Sequence, residues 1–317
     1  MAYSLPLTDP LDESFRRIGL EQINLALKEL RSKSFAPTQL HQSRKAFKRF
    51  RALLHLVRPV MRKSTFRRLE DQIRAIAAAF GDARDNQVMI ETVAKLEAAA
   101  PARACAVVFP ALKASLHERL QATAGISPKL LRSQAKALER LATDFKSARL
   151  DITDFACFEP GLRRVYADCR ERLNRAVTTN DEEDFHDCRK AVQRHWRHMQ
   201  LLRRIWPEAM RARIELAHDL AQLLGEDHDV AVLKRHVAAE AEAIAAKAPR
   251  DAFLHFCEAH QHMLRARTTL LSERLLCQKP GDFCRQMAVY WRTARDMLEL
   301  DARLDLSMNS PNVVRIA

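Results

Sequence analysis

His41-Gln42-Ser43-Arg44-Lys45-Ala46-Phe47-Lys48-Arg49 returns, 145 positions later, as His186-Asp187-Cys188-Arg189-Lys190-Ala191-Val192-Gln193-Arg194. Each copy is followed by a basic, proline-broken helical stretch and then by a Gly-x-x-basic-Asp corner, Gly81-Asp82-Ala83-Arg84-Asp85 and Gly225-Glu226-Asp227-His228-Asp229. The agreement extends outward. Arg16-Arg17 precedes the first copy much as Arg163-Arg164 precedes the second, Arg58 matches Arg203, and Arg68 matches Arg213. Matches at this many separated places mark a duplicated unit. A unit rich in His, Arg and Lys points to one site, built from two related halves, for a long or doubled anion.

The 317 residues include only 6 Gly, and strong helix formers dominate while alternating β-branched runs are absent, so the predicted class is all-α. Helices are expected over 11–30, 38–57, 64–80 and 128–148, with a further one after Gly81 and another framed by Pro101 and Pro110. Gly81 reads as a helix stop, and Asp82 or Asp85 as the next cap. Pro160-Gly161 breaks the periodicity. The expected organisation is an N-terminal extension 1–10, a first helical bundle 11–150, a linker 151–161, a second bundle 162–304 and a tail 305–317. In the second half the helices are placed at 162–177, 182–205, 208–224 with a stop at Gly225, 229–247, 251–277 and 283–304.

The net charge of +13 is concentrated. Residues 41–74 carry 11 Lys and Arg against Glu70 and Asp71, and residues 186–213 carry 8 against Asp187 and Glu208. Crowding like charge opposes folding, which an anionic partner would offset. Seven Cys (Cys105, Cys157, Cys169, Cys188, Cys257, Cys277, Cys284) without a Cys-x-x-Cys pair read as reduced thiols of a cytoplasmic protein. No secretory signal pattern and no membrane-length apolar run is found, so no membrane association is expected.

On a helix, His41, Arg44, Lys48, Arg51 and His55 share one face, with Lys45 and Arg49 on its shoulder. Phe47, Phe50, Leu53, Leu54 and Val57 fall opposite and must face the core. No acid lies at i±4 within the stripe, unlike an ordinary solvated helix face. In the second copy His186, Lys190, Arg194 and Arg197 form the matching stripe with Arg189 adjacent, while Gln193 and Trp196 replace two cations. His195 stands where the first copy has Phe50 and is expected to be buried. Arg, Lys and His in this density suit phosphate oxygens, and helix starts near Gly81 and Gly225 would add backbone N–H donors.

These motifs, His41-x-x-Arg44-Lys45-Ala46-x-Lys48-Arg49-x-Arg51 with Gly81-x-x-Arg84-Asp85, His186-x-x-Arg189-Lys190-Ala191 with Gly225-x-x-His228-Asp229, and Leu162-Arg163-Arg164-Val165-Tyr166, resemble the CHAD domain, the conserved histidine α-helical domain. The resemblance runs from about Ser14 to about Leu304. It implies two helical bundles related by a pseudo-two-fold, with basic residues in a central cleft or pore. It also implies inorganic polyphosphate as partner, and location at polyphosphate granules. Such domains are often fused to a triphosphate-hydrolysing CYTH domain, for which this chain has no room; a stand-alone, non-catalytic binder is expected, without cofactor or metal. The binding set expected on this basis is Arg16, Arg17, His41, Arg44, Lys45, Lys48, Arg49, Arg51, His55, Arg84, Arg163, Arg164, Tyr166, Arg170, His186, Arg189, Lys190, Arg194 and Arg197. Histidine protonation is expected to strengthen binding below about pH 6.5.

Two other readings compete. Nucleic acid presents the same phosphates and gives a secondary expectation of weak binding, but no aromatic platform interleaves the stripe. A metal-dependent phosphohydrolase is suggested by 12 His, with Cys257-x-x-His260 beside His255 and His195-x-x-His198 at helical ligand spacing. No His-Glu-x-x-His, multi-Asp cluster or P-loop accompanies them, and Asp85 and Asp229 read better as helix-start caps.

Overall fold

Each amphipathic segment predicted above must bury one face, and the structure, a computed structural model, shows where. It describes residues 3–32, 35–100, 107–122, 126–240 and 244–308, without the side chains of 82–85, 121–122 and 305–308. Among these, regular structure is helical throughout, in α1 (Leu11–Leu30), α2 (Pro37–Val57), α3 (Lys63–Ala78), α4 (Gly81–Ala99), α5 (Val108–Ala122), α6 (Pro128–Ser147), α7 (Glu159–Thr179), α8 (Glu182–Leu201), α9 (Pro207–Ala239), α10 (Lys247–Leu275) and α11 (Pro280–Met308), with a 3-10 turn at Phe155–Cys157. Local chemistry sets several starts. Ser127 Oγ accepts from Leu130 N with Pro128 in the first turn, and the Asp181 carboxylate accepts from the amides of Glu183 and Asp184.

Several boundaries differ from the sequence reading. α8 ends at Leu201 rather than 205, and Pro207 opens α9, where its missing N–H is no loss. Gly225 stops nothing: α9 runs 33 residues through it. Among the described residues no glycine takes a positive φ, and Gly225 is not needed for space either, since a Cβ there would make only an ordinary contact, 3.8 Å from the Arg189 guanidinium. Gly81 opens α4 rather than capping α3, which ends at Ala78.

α1 packs on α2 and α6, and α3 on α6 and α2; in the second half α7 packs on α8 and α11, and α8 on α9. One core runs through both sets, with Phe50 edge-on to Phe145 at 5.0 Å and Tyr166 stacked on Phe283 at 4.2 Å. A second core joins α4 and α5 to the C-terminal part of α9 and to α10 through Val93, Leu112, Val237 and Phe253. The halves meet where α2 crosses α8, at a buried hydrogen bond of 2.8 Å between His198 Nε2 and the Ala52 carbonyl. Ala52 matches Arg197 in the repeat, so the crossing falls at equivalent turns of the two copies. The N-terminal segment is packed there too: Tyr3 and Leu5 are buried and Leu5 N donates to Leu201 O at 2.8 Å.

α7 passes over α2 with no space to spare, since a Cβ on Gly161 would lie 1.8 Å from Leu56 O. The obstacle is backbone, which cannot rotate aside. Gly161→Ala is therefore expected to cost about 1–3 kcal/mol in urea unfolding. Gly281→Ala, where only the Arg285 side chain is near, should leave stability within about 0.5 kcal/mol.

Candidate functional site

The periodicity of α2 is realised as expected. Phe47, Phe50, Leu53, Leu54 and Val57 are buried, which turns Arg44, Lys48, Arg51 and His55 to a half-buried flank and leaves His41 and Lys45 exposed. The later turns of α2 and α8 then bring their cations together on either hand of Ala52.

One cluster joins Lys45 and Arg49 of α2 to Arg197 of α8 and Arg203 just beyond it. Lys45 is lowered from its ordinary value by burial and by the charges of Arg49 and Arg197. Arg49 is lowered by burial and by Arg203, against an opposing pull from Tyr3. Arg197 is only 6% exposed, and burial brings it down to about 10. Its Nη1 donates to Gln193 O at 3.0 Å, but its Nε is buried without a partner among the described residues. Rings stand where acids are missing: the Arg49 guanidinium lies 5.1 Å from the Tyr3 centroid and that of Arg197 4.8 Å from Trp196. Among the described residues no carboxylate lies within ion-pair distance of Lys45, Arg49, Arg197 or Arg203.

The second cluster is partly neutralised. Arg51 Nε donates to Glu70 Oε1 at 3.0 Å, and His55 Nε2 lies 3.7 Å from the same oxygen. Burial alone would raise the Glu70 carboxyl, yet hydrogen bonds from His55 and Arg51 and their charges hold it down to about 2. Burial keeps His55 below its ordinary value, so at neutral pH an ionised Glu70 is held by Arg51 beside a neutral imidazole. Arg58 stands over Phe66 at 4.9 Å and is lowered by burial and then by Arg164 and Arg194, with Arg67 a smaller cause. Arg58, Arg67 and Arg164 have no carboxylate within ion-pair distance among the described residues.

The CHAD domain model matches residues 18–238, the greater part of the sequence and both motif copies. The chain belongs to the CHAD domain family. The crystal structure of the CHAD domain from the plant Ricinus communis is similar at TM-score 0.61 and 22% identity, over 87% of this chain and 94% of that one. PptA from Streptomyces chartreusis is similar at TM-score 0.53 and 14% identity, over 85% of this chain and 100% of that one. At these identities the likeness concerns the fold. None of the curated proteins matches the sequence.

Within this CHAD fold several expected ligands sit elsewhere. Arg16 donates to the carbonyls of Phe145, Lys146 and Ala148, closing the C-terminal end of α6, where a cation is favoured. Arg17 pairs with Asp9 and Glu21. Tyr166 is fully buried and donates its hydroxyl proton to Leu275 O, and Arg170 donates to the carbonyls of Leu276 and Gln278. Arg16, Tyr166 and Arg170 brace the fold, Arg17 is engaged by acids at the surface, and no polymer reaches Tyr166. Arg163 is exposed and lies toward Cys284 rather than Arg58.

In the second copy the acid-free stripe fails. Lys190 donates to Asp187 at 2.9 Å, Arg172 bridges Asp187 and Asp168 at 2.6 and 2.7 Å, and Arg194 donates to Asp168 at 3.1 Å. Arg189 is buried against Gly225, and His186 stacks on His228 at 4.1 Å. Because Gly225 is inside α9, no free helix start contributes N–H groups there. The side chains of Asp82, Arg84 and Asp85 lie outside the described residues, as does Cys105; the other six cysteines are thiols outside any disulfide among the described residues. The site residues that the sequence reading passed over are Arg58, Arg67 and Arg203. The pairing of Arg58 with Arg203 in the repeat was their visible signal.

Among the described residues no three His, Cys, Asp or Glu gather as a metal site. Cys257 is in the second core while His260 lies 3.3 Å from Glu226, and no helix is long and apolar enough to cross a membrane. The expected gain in binding below about pH 6.5 loses two contributors, because burial lowers both His55 and His186. His195 and His198 go further, to about 3 and about 4, through burial first. Folded His195 and His198 stay neutral while the unfolded chain takes up protons, so stability declines as pH falls from about 6.5 through those values. His195→Phe, the residue of the first copy, should flatten this decline in melting temperature between neutral pH and about pH 4; an unchanged slope would contradict the burial reading.

Proposed function

We propose that this CHAD protein binds inorganic polyphosphate without catalysis, through the cations gathered at the α2–α8 crossing, and that this binding directs it to polyphosphate granules in the cytoplasm. The observation that carries the reading is the first cluster. Lys45, Arg49, Arg197 and Arg203 converge without an acid, and a buried guanidinium keeps Nε unpartnered. Leaving such a donor unsatisfied costs about 1–3 kcal/mol, and a phosphate oxygen would recover it. A linear polymer would extend from there along the line of Arg51, Arg58, Arg164 and Arg194, with Arg44, Lys48 and His41 following on α2. Glu70, Asp168 and Asp187 hold the flanking guanidiniums in place while leaving the total charge positive.

Polyphosphate suits this arrangement better than nucleic acid. Its charges follow one another without intervening sugars or bases, and the rings in the cluster, Tyr3 and Trp196, already lie against Arg49 and Arg197. Long-chain polyphosphate is expected to displace duplex DNA and RNA from the protein at equal phosphate concentration, with log affinity falling linearly in log salt. Displacement in the opposite sense would favour the nucleic-acid reading, and phosphate release by the pure protein that a chelator stops would favour the hydrolase.

The two copies should contribute unequally. Lys45→Glu with Arg49→Glu is expected to weaken polyphosphate binding at least roughly tenfold and to reduce the salt slope by about 2. Arg189→Ala with Lys190→Ala should weaken it several-fold less, since Lys190 is already held by Asp187. Equal losses in the two double variants, measured by fluorescence anisotropy with circular dichroism as the folding check, would contradict this assignment.

A further inference from the structure

The last helix outruns the body it packs on. Phe283, Met287 and Trp291 fasten the first turns of α11, but from Arg292 to Leu304 no described residue is buried. That stretch projects by about 20 Å at ~1.5 Å per residue. A projecting helix is expected to be polar all round, yet this one carries Val289, Met297 and Leu300 on one side, 44%, 61% and 56% exposed. At 3.6 residues per turn these lie within a single stripe, turned away from the side that holds Met287 and Trp291. Asp296 and Arg303, two turns apart, run along one flank of the stripe. Neither forms an ion pair within the chain among the described residues.

We infer that α11 pairs antiparallel with α11 of a second copy of this chain. A two-fold axis passing between residues 298 and 299 sets Met297 against Leu300 of the second copy. The same axis brings Asp296 beside Arg303 of the second copy on the shared flank of the seam, offset by about 3 Å along the helices, and each contact occurs twice because the interface is isologous. The stripe then has the spacing of a short coiled-coil seam, with the charged pair at its edge selecting orientation. The parallel alternative is disfavoured by the sequence itself, since it places Asp296 beside Asp301 of the second copy, like charge against like. The pairing is independent of the polyanion site, as the residues involved lie beyond the α2–α8 crossing on a separate helix.

Sedimentation equilibrium of the full chain across the micromolar range tests this. The wild type is expected to be a dimer, and Asp296→Arg and Arg303→Asp should each raise the dissociation constant by roughly tenfold or more. The double variant Asp296→Arg/Arg303→Asp, which restores opposite charges across the two-fold, should return to the wild-type value, while Met297→Glu/Leu300→Glu should be monomeric. All four positions are exposed, so circular dichroism should be unchanged. A wild type that stays monomeric, as it would if residues 309–317 covered the stripe, overturns the inference. So does a dimer that is indifferent to both single charge reversals.

Discussion

The crossing of α2 and α8 governs this molecule. A hydrogen bond buried between His198 and the Ala52 carbonyl locks the two helices at equivalent turns, and their apolar faces are committed to the core on the far side. With those faces fixed, the cations at neighbouring turns have nowhere to go but toward each other. Arg49 meets Arg197, and Arg194 comes within reach of Arg51 and Arg58. The charge density is therefore a geometric consequence of duplicating one amphipathic helix and packing the copies together.

Acids have been placed selectively around that density. Glu70 arrives from α3 to hold Arg51 beside His55, Asp168 from α7 to hold Arg194, and Asp187 sits beside Lys190 on α8 itself. Their effect is to fix guanidinium orientation while removing part of the repulsion. Among the described residues Lys45, Arg49, Arg197 and Arg203 receive no such partner, and Arg49 and Arg197 instead meet the rings of Tyr3 and Trp196. Such a contrast separates cations that build the scaffold from cations kept available, and it explains why Arg16 and Arg170, equally basic in the sequence, end as braces on carbonyl groups.

Much of this was legible from the residues. The 3-4 spacing in α2 placed its apolar face correctly, the paucity of glycine and of alternating runs gave the helical class, and the correspondence of His195 with Phe50 foretold a buried imidazole. What was not legible came from other helices or from packing. Glu70 lies 19 residues from Arg51, and no i±4 rule reaches it; Asp168 is likewise invisible from α8. Gly225 looked like a stop because glycine is a poor helix former, but the buried neighbours Leu224 and Asp227 carry the helix through it, and that packing is seen only in the fold. The histidines of the basic stripes were expected to gain protons beside an anion, and burial instead drives His55 and His186 toward the neutral form.

The central claim is that Arg197 is kept buried and under-bonded for an anion to complete, and replacing it by methionine examines this directly. Removing a buried, unpaired charge while keeping the length of the side chain should leave the unliganded protein at least as stable. The same change should abolish most of the rise in melting temperature that polyphosphate gives the wild type through binding to the folded state. An Arg197→Met protein that unfolds more readily on its own, and is still stabilised by polyphosphate as fully as the wild type, would show that the guanidinium serves the scaffold and that the ligand lies elsewhere.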